Sequence, residues 1–97
     1  MLKPKQKAYL KSLANSLKPV FQIGKDGISD EMKYSIVNCL MKNELIKVSI
    51  LQNSDTTMEE AEEIFNDVNI EVVQKIGRTL VLYKKSSKAK NPIELPQ

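Results

Sequence analysis

PVFQIGKDGISDEMK, Pro19 to Lys33, is the stretch on which the reading of the fold turns. Val20 to Ile23 read as a short buried strand, and Gly24-Lys25-Asp26-Gly27 ends it. Ser29 then offers an N-cap, and Asp30 and Glu31 suit the positive end of a helix dipole. Met32, Ile36, Cys39 and Leu40 mark the core side of a helix that continues to about Asn43. A strand passing through a glycine turn into a helix is the unit of an α/β fold, and both glycines are expected to serve that passage.

Upstream, Pro4 suits a first helical turn, and Tyr9, Leu10, Leu13, Ala14 and Leu17 recur at helical spacing until Lys18-Pro19 stops the pattern. At roughly 100° per residue, Lys7, Lys11 and Lys18 fall in an arc of about 40° flanking that stripe. Downstream, LIKVSIL (Leu45 to Leu51) places Ile46, Val48 and Ile50 on one face of a strand. Thr57 and Glu60 have capping-box spacing, ahead of Met58, Ala61, Ile64, Phe65 and Val68 along one side of a helix, with four glutamates directed away from it. IEVVQKI and TLVLYK then flank Gly77-Arg78, the pattern of a type II′ hairpin. The expected order is α-β-α-β-α-β-β, a single α/β domain over residues 1–85 with a four-stranded mixed sheet. Residues 86–97 form a polar tail, expected to be mobile until its closing IELP.

The 97 residues fit one core, and 41% apolar with 28% charged residues is a globular composition. Cys39 is the only cysteine and histidine is absent, which removes intrachain disulfides, His/Cys zinc sites and His-based nucleophile systems. Cys39 lies in the apolar helical pattern and reads as a small core residue. No apolar run approaches membrane-spanning length and no secretory pattern opens the chain, so a cytoplasmic protein is expected. No cofactor, metal or small-molecule substrate is indicated, and no nucleophile, base and orienting group can be named for an enzyme.

Charge is unevenly placed. Residues 1–27 carry net +5, residues 54–69 net −6 and residues 70–97 net +4. A strand end and helix start joined by Gly-x-x-Gly leaves backbone N-H groups that can meet an oxyanion, and Lys25 adds a cation at the tip. A plain turn would look the same, and the Asp26 carboxylate opposes phosphate. Lys7, Lys11, Lys18, Lys25 and Arg78 could join in one cationic surface for a chain of phosphates. Phe21 and Phe65 read as core, whereas Tyr34 and Tyr83 could stack on a base or pack with their hydroxyls at the surface.

LANSLKPVFQIGKDGIS, NELIKVSIL and VVQKIGRTLVLYKKS, in this order and spacing, resemble the CRM domain family (chloroplast RNA splicing and ribosome maturation) in its stand-alone bacterial YhbY-type form. The resemblance spans about Lys5 to Tyr83 and includes the closing IELP. It implies a fold similar to the C-terminal domain of translation initiation factor three, non-catalytic RNA binding, and association with large ribosomal subunit precursors. By position, the family's GxxG loop matches Gly24, Lys25, Asp26 and Gly27, and its basic surface would include Lys18 and Arg78. Asn15 stands where relatives often have histidine, which leaves the fold unaffected but weakens the case for RNA contact by that helix. Ser49 stands where a basic residue is usual, so the cationic surface is expected to be narrower. A monomer is expected. The competing reading is a protein-interaction adaptor that docks through the acidic helix at 57–68.

Overall fold

The strand, turn and helix expected between Pro19 and Lys33 are present in the computed structural model, which describes residues 2–97. Those residues form α1 (Pro4–Ala14), β1 (Pro19–Ile23), α2 (Asp30–Asn43), β2 (Leu45–Ile50), α3 (Met58–Asp67), β3 (Glu71–Ile76) and β4 (Thr79–Tyr83). The caps form as the side chains dictate. Ser29 Oγ accepts from Met32 N at 3.1 Å, and Thr57 and Glu60 exchange hydrogen bonds of 3.0 and 3.1 Å. Gly77 has φ +57° and opens the hairpin turn, a conformation that costs glycine nothing.

The sheet order is β1-β2-β4-β3. β1 pairs parallel to β2, and β4 pairs antiparallel to both β2 and β3. The hairpin thus folds its second strand into the sheet, leaving β1 and β3 as edges. This corrects the reading of β1 as a buried strand: only Ile23 of its five residues is buried, and Val20, at a register shift against β2, is 57% exposed. An edge strand with a bulge needs apolar residues on one face only.

α2 and α3 cover one face of the sheet over Ile23, Ile46, Val48, Ile50, Leu80 and Leu82, with Phe65 fully buried among them. α1 covers part of the other face over Leu45, Val73, Val81 and Tyr83. β4 lies between two layers, so its last four residues are all buried.

α1 ends at Ala14, where Asn15 N and Leu17 N tighten onto the carbonyls of Ser12 and Ala14. Lys18 therefore lies on the connection into β1, and the shared helical arc for Lys7, Lys11 and Lys18 holds for the first two alone.

The tail folds back onto the α1 layer instead of standing free. Ile93 and Leu95 pack against the cluster around Leu10 and Ala14. Glu44, the C-cap of α2 at φ +62° and only 2% exposed, anchors the tail. Its carboxylate accepts from Ser86 N and Ile93 N, both at 2.7 Å.

Candidate nucleic-acid interface

Gly24 to Gly27 close a tight turn, with Gly27 N donating to Gly24 O at 3.1 Å. Lys25 and Asp26 are exposed at its tip. Their backbone N-H groups form no hydrogen bond among the described residues, so they are the donors an oxyanion would meet. The two glycines have different roles. Gly27 sits at φ +72°, and a Cβ there would meet Thr56 Oγ1 at 3.3 Å. Gly24 has an ordinary φ, and its nearest neighbour would be Leu51 Cδ1 at 3.8 Å. Contrary to the sequence reading, only Gly27 is needed for the chain's own passage. Gly27→Ala should destabilise the fold by about 1–2 kcal/mol, and Gly24→Ala by less than about 0.5 kcal/mol, in urea unfolding. Equal costs at the two sites would contradict this assignment.

Arg78 is brought to the same end of the sheet. Its Nε donates to Ile50 O at 2.9 Å and one terminal nitrogen to Leu51 O at 2.8 Å. Leu51 N in turn donates to Ile23 O at 2.8 Å, which joins this segment to the end of β1. Two of the five guanidinium N-H donors are thus used to hold the group still beside the glycine turn. The hairpin turn, the residues after β2 and the Gly24–Gly27 turn form one cluster.

From that cluster an uncovered part of the sheet extends. Ladder pairing aligns Gln22, Ser49, Thr79 and Ile76 in one row across all four strands. Their side chains lie on the α1 side, because Val48 and Ile50 point to the other core. Lys47 is on that same side, two residues from Ser49. None of these five residues is buried, and Ile76 is 49% exposed. α1 reaches only the far end of this face. Its Gln6 and Leu13 meet the tail, and about 100° of rotation per residue puts Lys7 and Lys11 on the opposite flank, bordering the uncovered sheet.

The structure therefore brings together Gly24, Lys25, Asp26, Gly27 and Arg78, with Lys7 and Lys11 at the rim of the adjoining face. Lys18 is not part of that cluster: it precedes β1, whose five residues span about 16 Å at roughly 3.3 Å each, and it lies near Leu17, Asn43 and Leu45. Lys47, Gln22 and Thr79 were missed. The alternation in LIKVSIL assigns Lys47 and Ser49 to the face opposite Ile46, Val48 and Ile50, but only the position of α1 shows that this part of the face is open.

Other charges are partly committed. Asp30 pairs with Lys33 at 3.0 Å, and on α3 Glu60 serves the cap while Glu62 pairs with Lys75 at 2.8 Å. Tyr83 is buried, and that burial, with the Glu44 charge second, raises its hydroxyl above the ordinary value. Tyr34, 71% exposed on α2, is the tyrosine of this pair that a base could reach. Among the described residues no helix is long and apolar enough to cross a membrane.

A sequence profile described as the CRS1 / YhbY (CRM) domain matches residues 2–84. The chain is 46% identical over 97 residues to "Probable RNA-binding protein YqeI" of Bacillus subtilis strain 168, covering 99% of this chain and 100% of that protein. It is 38% identical to a Haemophilus influenzae protein named "RNA-binding protein", covering 99% of this chain and 96% of that one. Among solved structures it is similar to a solution structure of a candidate RNA-binding protein from Staphylococcus aureus. That match has a TM-score of 0.78 and 46% identity, and covers 99% of this chain and 100% of the other.

Proposed function

The chain belongs to the CRS1 / YhbY (CRM) domain family, and from that premise we propose that it is a non-catalytic, monomeric, cytoplasmic RNA-binding protein that assists assembly of the large ribosomal subunit. One observation carries the RNA part: a glycine turn with unpaired tip amides adjoins an immobilised Arg78 and an open sheet face rimmed by lysines. RNA phosphates would seat at the turn, where Gly24 leaves room for a close approach, and then follow the face past Lys47, Lys11 and Lys7. Gln22, Ser49 and Thr79 offer hydrogen bonds to sugar hydroxyls and base edges there. The names of the relatives support RNA as the ligand. The ribosomal part rests on the three motifs and the family they resemble.

Crosslinking in cells followed by sequencing of the bound RNA tests the assignment. Reads concentrated on large-subunit ribosomal RNA are expected, and reads spread evenly over messenger RNA would overturn the ribosomal role. In solution, binding to structured RNA should fall steeply with salt, by roughly 0.7–0.9 in log-log slope for each phosphate neutralised. Lys25→Glu should weaken binding about tenfold with the melting temperature unchanged. Undiminished binding by that variant would remove the turn from the contact.

A further inference from the structure

At the opposite end of α2 from the glycine turn, a concavity of about 460 Å³ is lined by Asn38, Met41, Lys42, Lys88 and Lys90. Its lining contains three lysines and no acid. Two of those lysines belong to the tail, and their position is built. Glu44 holds the tail backbone at Ser86 and Ile93, at 2.7 Å each. Between those anchors, Ser86 Oγ donates to Met41 O at 2.6 Å and Lys90 N to Lys42 O at 3.4 Å. The tail thereby partners carbonyls at the α2 terminus, whose lone pairs would otherwise repel an anion.

We infer that Lys42, Lys88 and Lys90 form a second contact for RNA phosphates, and that Glu44 assembles it by fixing the tail across the end of α2. The inference rests on the reading of this chain as an RNA-binding protein. The 14 residues of α2 separate the two contacts by about 21 Å, at roughly 1.5 Å per residue. An RNA helix is the partner that presents phosphates at both ends of such a span. The competing explanation is that these lysines merely complement the negative end of α2.

The test is a titration of the full chain with an RNA duplex of about 20 base pairs, long enough for both contacts, over a range of salt concentrations. Lys88→Gln/Lys90→Gln/Glu63→Gln/Asp67→Asn removes the two tail cations and two exposed acids of α3, so the formal net charge stays at +3. All four side chains are exposed, and melting should be unchanged. Affinity should drop about tenfold and the log-log slope become shallower by about 1.5, two contacts' worth. Affinity and slope equal to those of the unaltered chain would overturn the inference.

Lys25→Glu, titrated alongside, keeps the two readings apart. If Lys25→Glu binds normally and the tail variant does not, the turn is excluded and the tail contact stands. If only Lys25→Glu is weakened, the tail contact is refuted. Failure of the unaltered chain to bind the duplex while it still binds ribosomal RNA refutes the second contact alone, and failure to bind either RNA refutes the reading it rests on as well.

Discussion

Glu44→Ala is expected to lower stability by about 3 kcal/mol and the melting temperature by 10 °C or more. The carboxylate is buried and accepts two short hydrogen bonds from the tail backbone, each of the charge-assisted kind worth roughly 1.5–3 kcal/mol. Alanine leaves the Ser86 and Ile93 amides without an acceptor. The chain can recover part of the loss by releasing the tail to water, at the cost of exposing the apolar surface under Ile93 and Leu95. For a domain of this size each kcal/mol shifts melting by about 4–8 °C.

Glycine at the same position separates side chain from backbone. Glu44 occupies the left-handed region at φ +62°, where glycine is preferred by about 1 kcal/mol over residues with a Cβ. Glu44→Gly should therefore be the more stable of the two variants, though still below the unaltered protein. Glu44→Gln retains one acceptor and sets an NH2 group against the second amide, so it too loses the staple. It should also bring the Tyr83 hydroxyl back toward its ordinary value, since the Glu44 charge is one cause of the upward shift. Absorbance titration of the phenolate reads that change. Unchanged melting in all three variants would show that the tail does not depend on this carboxylate.

Glu44 also illustrates why part of the structure was not legible in the sequence. In MKNELIKV an acidic residue between a helix and a strand looks like ordinary solvated surface, and its partners are 42 and 49 residues away. Local pattern carries no information about contacts at that separation. The elements themselves were legible because their signals are local: the Thr57 capping box, the Ser29 cap, the Gly77 turn and the periodicity of α2 and α3. Strand order was not, because pattern shows that β4 is apolar on both faces without showing that it inserts between β2 and β3. β1 was assigned too much burial for the same reason, since Phe21 and Ile23 need only one covered face. At the candidate site, the glycine turn and Arg78 were visible as residue types. That Arg78 is locked onto two carbonyls, and that Lys18 lies at the far end of β1, depend on how four chain segments meet.

The uncovered sheet face leads to the other large expected effect. Lys11→Glu/Lys47→Glu should reduce affinity for structured RNA about a hundredfold near physiological salt, with little change in melting temperature. Both side chains are at least partly exposed, and neither takes part in an ion pair among the described residues. On the proposed path each reversal would remove a phosphate contact and substitute a repulsion, so the effect per site should exceed that of neutralisation. Overall charge alone could produce some weakening, because net charge steers any polyanion. Lys75→Glu/Lys84→Glu makes the same change in net charge away from this face: Lys75 is paired with Glu62 on the α3 side, and Lys84 donates to Asn69 O at the opposite end of the sheet. That control should lose less than about tenfold. Equal losses for the two pairs would mean that the protein responds to total charge, and the face bordered by Lys7, Lys11 and Lys47 would not be the path of the RNA. A hundredfold difference between them, with the salt slope reduced only for Lys11→Glu/Lys47→Glu, would trace the backbone from the glycine turn across the sheet to α1.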